Sequence, residues 1–148
     1  MGVSQPILLP MLVLAGWTMI IWLWMYATRL PAMSRAGIDG TKMVGSTGKS
    51  LRDDLVAAGE VKASWVADNY NHLMEQPTIF YATALALAVM GAGSGMAVQL
   101  AWGYAALRIL HSLVQILVNR VVVRFLVFAL ASLCLIGLVA LALGAAMA

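Results

Sequence analysis

The sequence predicts an all-α integral membrane protein built as a bundle of four membrane-spanning helices. Hydrophobic residues make up 63% of the 148 positions, charged residues only 10%, and the mean hydropathy is +0.93. A soluble domain has roughly 45–50% apolar and about 25% charged residues, so this chain has too little polar surface to coat a water-soluble globule. The same figures exclude a disordered chain. The length allows one domain, 1–148, with room for four spans of about 20 residues each.

The first span is predicted over residues 7–30. The run is apolar and long enough to cross a bilayer with some tilt. Three tryptophans lie between residues 17 and 24, as aromatic residues do near a membrane interface, and Arg29 then marks the water boundary. The run has no basic segment before it and no cleavage site after it, which argues against a signal peptide.

Residues 31–62 form the one long polar stretch, rich in glycine, serine, threonine and charged residues, and are predicted as a loop. Within this loop, residues 50–59 can form a short surface helix that places Leu51 and Leu55 on the same side.

Three further spans are predicted over residues 63–91, 96–119 and 121–146. Pro77 lies inside the second of these, which predicts a kink or a loosened turn because proline cannot donate a helical hydrogen bond. The glycine-rich segment 91–95 is short, so the second and third spans are expected to be antiparallel neighbours.

Positive charge in this chain follows the ends of the spans. Six of the nine Lys and Arg residues lie at or between the ends of the first two spans, and the other three, Arg108, Arg120 and Arg124, flank or lie inside the third and fourth. The positive-inside rule therefore places the loop 31–62 and the turn between spans three and four in the cytoplasm, with both termini outside. Because these residues mark membrane boundaries rather than one basic face, nucleic acid is not a predicted partner.

Two stripes of polar side chains lie on the second and third spans. At 100° per residue, each set falls within a sector of roughly 100° on its helix. Ionisable groups at membrane depth cost about 2.5–3.5 kcal/mol each on insertion scales, so they must pair or line a wet cavity. We expect Glu75 to pair with Arg108, within a subunit or across an interface. The stripes comprise Asp68, Asn71, His72 and Glu75 on span two, and Arg108, His111, Ser112, Gln115 and Asn119 on span three.

Other interpretations of these residues remain open. The stripes can serve only as hydrogen-bonding contacts between membrane helices, worth about 0.6 kcal/mol each. His72, Glu75 and His111 are a thin candidate set for a metal. The string GSTGKS at 45–50 ends like a phosphate-binding loop, but the required first glycine is Met43 and no strand precedes it.

Three segments together resemble the MAPEG family, the membrane-associated proteins in eicosanoid and glutathione metabolism. They read NYNHLMEQPTIFY at 69–81, LRILHSLVQ at 107–115 and NRVVVRF at 119–125. The resemblance extends over all four spans and looks closest to bacterial members of unassigned role, which implies a bacterial inner membrane. It implies a left-handed four-helix bundle that assembles as a homotrimer. Glutathione is then expected between subunits on the cytoplasmic side, with lipid and a hydrophobic small-molecule substrate as further partners.

The resemblance also implies roles for particular residues. Glu75 resembles the glutamate that holds the glutathione amino group, and Arg108 with His111 resembles the Arg-x-x-His pair of the same pocket. Arg124 resembles the catalytic arginine near the thiol, and Arg29 loosely matches a basic residue that meets a carboxylate. The remaining stripe residues that join the expected cofactor-binding set are Asn71, His72 and Gln115. Arginine suits this chemistry because it binds carboxylates bidentately and lowers the pKa of a neighbouring thiol.

The chain departs from the family pattern at several contacts. On span two no arginine lies just before the glutamate, and Asn71 lies four residues before Glu75 instead of three. Gln115 stands where a tyrosine is usual, and Phe125 where a serine often follows the arginine. The predicted function is a glutathione-dependent transferase or peroxidase acting on hydrophobic electrophiles. The alternatives are a binding or transport module for an anionic or amphipathic molecule, and a structural subunit whose stripes only fix packing.

Overall fold

A computed structural model describes residues 5–148, so the first four residues of the predicted domain lie outside it. This part of the chain folds into six helices. In chain order they are α1 (Leu8–Arg35), α2 (Gly48–Ala57), α3 (Val61–Met74), α4 (Gln76–Val89), α5 (Met96–Leu117) and α6 (Val121–Met147).

The first helix continues beyond its predicted end at residue 30. Helix α1 runs through Pro31 to Arg35, which places its last turn in the predicted loop. This turn is held from the side, because Ala32 is fully buried against Leu55 and Ala63, and Arg35 forms an ion pair with Glu60. The burial of Ala32 and the ion pair of Arg35 therefore stabilise the last turn of α1 beyond Pro31, although proline usually interrupts a helix.

The predicted surface helix in the loop exists, two residues earlier than expected. Thr47 accepts a hydrogen bond from the Ser50 amide, while the Ser50 hydroxyl accepts one from the Thr47 amide. This reciprocal cap fixes the start of α2 at Gly48. Ser and Thr in the string at 45–50 thus serve to cap a helix.

The predicted second span consists of two helices of 14 residues each, α3 and α4. The interruption predicted from Pro77 is confirmed, and the backbone departs from helical geometry at Glu75, where φ is −91° and ψ is −99°. In the first turn of α4, the amide and the hydroxyl of Thr78 both donate hydrogen bonds to the Glu75 carbonyl, at 3.1 and 2.6 Å. The break therefore puts Glu75 at a junction between two helices.

Among residues 5–148, three helices are long and apolar enough to cross a membrane: α1, α5 and α6. They correspond to the first, third and fourth predicted spans. Helices α3 and α4 are each shorter than the roughly 20 residues that a complete crossing needs.

Close packing between α5 and α6 depends on glycines. A methyl group at Gly137 would lie 3.0 Å from Leu100, and one at Gly103 would lie 3.2 Å from the sulfur of Cys134. Other small residues of α6 differ in their surroundings, since Ala131 is fully buried while a methyl group at Gly144 would meet open space.

The outer surface of the bundle is apolar. Helix α6 buries only Ala131, Leu135 and Leu138, although nearly all its residues are hydrophobic. Exposed leucine, valine, isoleucine and phenylalanine side chains cover its remaining faces. A surface of this kind requires lipid or another apolar partner rather than water.

Candidate functional site

Two adjacent cavities open beside the break between α3 and α4. The first measures about 410 Å³ and is lined by His72, Glu75, Gln76, Arg108, His111, Val121, Arg124, Phe125 and Phe128. The second measures about 450 Å³ and is lined by Arg52, Trp65, Asp68, Asn71, His72, Glu75, Gln115, Asn119 and Arg124. His72, Glu75 and Arg124 belong to both linings, so the two cavities lie side by side as an aromatic half and a polar half of one candidate site.

Arg108 is the most deeply buried charge in this site, with 1% of its surface exposed. Its Nη2 donates to the backbone carbonyl of His72, an acceptor that is available because α3 ends before a residue could close that turn. The guanidinium carbon lies 5.7 Å from the ring centre of Phe128, within the range of a cation–π contact.

Two nitrogens of Arg108 remain unused. Within residues 5–148, Nε and Nη1 are buried and have no hydrogen-bond partner. Leaving a buried charged donor unsatisfied costs more than the roughly 1–3 kcal/mol of a neutral group. A buried guanidinium in this state, on the wall of a cavity, points to an anionic or carbonyl-bearing ligand.

The two predicted polar stripes meet across the interface of α3 and α5. Asn69 donates to the Ser112 hydroxyl at 2.6 Å, and His72 Nδ1 donates to Gln115 Oε1 at 3.0 Å. The rings of His72 and His111 lie 6.1 Å apart, nearly perpendicular. These contacts fix the orientation of the His72 ring at the wall shared by both cavities.

The turn between α5 and α6 positions Arg124. Asn119 adopts a positive φ of 53°, a conformation that asparagine tolerates better than most residues. Its side-chain oxygen accepts a hydrogen bond from Arg124 Nη1. Arg124 Nε is buried and has no acceptor in the described part of the chain. Arg124 is therefore anchored at one nitrogen with another available to a ligand.

Gln76 connects this site to an apolar groove. Its amide nitrogen donates to Ser132 at 2.9 Å, and its oxygen accepts from the fully buried Tyr104 at 3.3 Å. The groove beyond it measures about 320 Å³ and runs between α4 and α6, where Ile79, Leu135 and other apolar side chains line it. A hydrophobic molecule in the lipid can thus approach the polar cavities along this face.

The predicted site residues come together in the two cavities, with one exception. Arg29 lines neither cavity. Glu75 and Arg108 share the first cavity, yet the ion pair expected between them does not form within residues 5–148 of one chain. The broken helix explains this outcome, since Arg108 binds the freed carbonyl of His72 while the Glu75 side chain is exposed.

The metal interpretation receives no support from the geometry. Across the described residues, no three His, Cys, Asp or Glu side chains lie close enough together to hold an ion.

The two cavities are also lined by residues outside the predicted set, among them Gln76, Phe128 and Arg52. Gln76 and Phe128 were not among the predicted site residues; Gln76 begins α4 directly after Glu75, and Phe128 lies one helical turn after Arg124. Arg52 comes from the loop helix α2, and no local pattern could have brought it to span two.

No curated protein and no solved structure matches the chain. The model of the MAPEG family matches residues 7–144, nearly the whole chain. That match agrees with the three apolar helices and with the segments that surround Glu75, Arg108 and Arg124. The chain is therefore an integral membrane protein and belongs to the MAPEG family.

Proposed function

We propose that this protein binds glutathione in the two cavities and conjugates its thiolate to hydrophobic electrophiles. The observation that carries the proposal is Arg108, a fully buried guanidinium with two unpartnered nitrogens on the cavity wall. Family membership supports a role in glutathione and eicosanoid metabolism. A ligand with carboxylates and peptide carbonyls supplies the acceptors that Arg108 lacks.

The charges in the cavity complement those of glutathione. The peptide carries two carboxylates, one ammonium and one thiol. Glu75, exposed at the helix break, is positioned to receive the ammonium. Arg108 lies deepest and is assigned to the glycine carboxylate, with His111 beside it as a further polar wall. His72, Gln115 and Asn71 line the remaining polar surface and orient the peptide backbone.

Arg124 is assigned to the thiol. A free thiol has a pKa of about 8.5, so only a few per cent is ionised at neutral pH. A guanidinium beside the sulfur stabilises the thiolate and does not itself titrate. The thiolate sulfur then forms a bond to the electrophilic carbon of the substrate, and the leaving group departs with its bonding electrons.

The electrophile is expected to come from the lipid. The groove between α4 and α6 is apolar along its length and ends at Gln76, beside the first cavity. A lipophilic substrate that follows it reaches the sulfur without passing through water. Conjugation adds charged groups to the substrate, which favours release of the product toward the aqueous side.

The proposed assembly is a left-handed homotrimer of four-span subunits in a bacterial inner membrane, with glutathione held between neighbouring subunits. Helices α3 and α4 together supply the second of the four spans, because their 28 residues exceed the length that one crossing needs. The loop 31–62 and the turn after α5 lie in the cytoplasm, where glutathione is available, with both termini outside. The exposed apolar faces of α6 provide surface for lipid and for neighbouring subunits.

Calorimetric titration of the detergent-purified protein with glutathione tests this function. Saturable binding is expected for the wild type and is expected to be lost in Arg108→Ala. The matched control is Arg120→Ala, since Arg120 is exposed and lines neither cavity. Equal binding by wild type and Arg108→Ala would refute the site, and no binding at millimolar glutathione would refute the cofactor.

Turnover is measured next with aryl halides, unsaturated carbonyl compounds and lipid hydroperoxides. Conjugation that requires both glutathione and Arg124 supports a transferase. Saturable glutathione binding without turnover of any of these substrates would overturn the catalytic part of the proposal and leave a binding module.

A further inference from the structure

The loop helix α2 is fixed against the polar half of the site. Leu55 of α2 is fully buried in a small cluster with Ala32 of α1 and Ala63 of α3. The reciprocal cap at Thr47 fixes the start of the helix. Because α2 is anchored in this way, its side chains occupy defined positions at the mouth of the second cavity, and Arg52 is one of the residues that line it.

Arg52 reaches from α2 to the second predicted span. Its Nε donates to Asp68 Oδ2 at 3.0 Å, and its Nη1 lies 3.8 Å from Asp53 Oδ1. The Arg52 side chain is 46% exposed, so much of the guanidinium remains accessible from the cavity. This contact places a guanidinium next to the segment of span two where the sequence lacks an arginine.

One carboxylate of glutathione, the proposed ligand, has no partner among the contacts assigned so far. Three arginines line the two cavities: Arg52, Arg108 and Arg124. The glycine carboxylate and the thiol are assigned to Arg108 and Arg124. The second carboxylate of glutathione lies on the same carbon as the ammonium, so its partner must lie near Glu75. Arg52 and Glu75 line the same cavity, whereas Arg29 lines neither.

We propose that Arg52 binds the α-carboxylate of the γ-glutamyl residue of glutathione, beside the ammonium held by Glu75. The proposal rests on the glutathione site described above and names one of its specificity contacts. The loop helix α2 thereby contributes to ligand recognition. A bidentate arginine–carboxylate contact of this kind contributes affinity and also selects for the charged group.

Asp68 acts as the competitor in this arrangement. It holds Arg52 in the ligand-free protein and places a negative charge at the position that the ligand carboxylate must approach. Asp68→Asn weakens that hold and removes the repulsion, so the variant is expected to bind glutathione several-fold more tightly. Weaker binding by Asp68→Asn would contradict this role.

The decisive experiment compares glutathione with 4-aminobutanoyl-cysteinylglycine, which keeps the ammonium and lacks only the γ-glutamyl α-carboxylate. Affinities of both peptides are measured by calorimetry for the full-length protein in detergent. The wild type is expected to prefer glutathione by about tenfold, the value of one charge-assisted contact. In Arg52→Ala this preference is expected to vanish, and in Arg52→Lys it is expected to be partly kept.

Lys49→Ala is the matched control, because Lys49 is an exposed cation on the same helix that lines neither cavity. A loss of packing alone would lower both affinities and leave their ratio unchanged. An unchanged ratio in Arg52→Ala, or a ratio lost in Arg29→Ala instead, would overturn the assignment while the glutathione site stands. A wild type that binds neither peptide would refute the site itself.

Discussion

His72 and Gln115 join α3 to α5 through one hydrogen bond of 3.0 Å, from His72 Nδ1 to Gln115 Oε1. An amide oxygen can only accept, so the hydrogen of this bond lies on Nδ1. Gln115 occupies the position where the family pattern has a tyrosine, and it has become a residue that orients a histidine of the site.

Gln115→Leu is expected to destabilise the protein by about 1 kcal/mol, because a partly buried donor on His72 loses its acceptor. The melting temperature of the detergent-purified protein reports the change. Gln99→Leu on the exposed side of the same helix is the control and should melt like the wild type. If both variants melt at the wild-type temperature, the hydrogen bond makes no net contribution.

Arg108→Met is expected to be at least as stable as the wild type without ligand, since it removes a buried charge with two unpartnered nitrogens. Replacing buried ionic groups by apolar ones of similar volume is often neutral, or stabilising by about 1–4 kcal/mol. Glutathione should raise the melting temperature of the wild type and not that of the variant.

A strongly destabilised Arg108→Met would contradict this prediction. It would show that the contacts of Arg108 with the His72 carbonyl and the Phe128 ring outweigh the cost of burying its charge. Arg108→Lys adds a second comparison, because lysine keeps the charge but cannot present the planar set of donors.

The ion pair between Arg35 and Glu60 closes the loop onto the end of α1, with Nε 2.6 Å from Oε1. The Arg35 hydrogen bond holds the pKa of Glu60 below its ordinary value of 4.5. A lowered pKa means that the stabilisation is complete above that ordinary value and is lost as the pH falls through the folded-state value. Melting curves should therefore separate wild type from Glu60→Gln at neutral pH and converge in acid.

The effect is expected to be small, because the pair is largely open to solvent and salt screens it. Asp54→Asn, which changes an exposed carboxyl on α2, is the matched control. If the difference in melting temperature between wild type and Glu60→Gln stays constant into strong acid, protonation of Glu60 does not affect the stability of the loop.

Helical spacing was enough to predict much of the site from the sequence. Residues three and four apart on a helix share a face, which is why Glu75 and His72 on one span, and Arg108 and His111 on the next, could be grouped in advance. Pro77 also predicted the helix break at which Glu75 is exposed. The structure adds that the break frees a backbone carbonyl for Arg108, which is why the expected pair with Glu75 is not made within one chain.

Contacts between distant segments could not be predicted in the same way. Arg52 meets Asp68 only because α2 folds back onto α3, and that fold depends on Leu55 reaching a pocket built from α1 and α3. Arg29 stays a prediction from a loose pattern match, and it lines neither cavity of this chain.

Arg124 is expected to set the pH at which bound glutathione reacts. With the guanidinium present, the thiol should ionise below its free pKa of about 8.5, and in Arg124→Ala its pKa should rise toward that value. The acid limb of the kcat/KM profile should shift upward accordingly. Asn119→Gly should give an intermediate shift, because glycine keeps the left-handed turn while Arg124 loses its anchor. If all three proteins share one acid limb, Arg124 does not act on the thiol, and its unpartnered Nε must serve to bind the ligand instead.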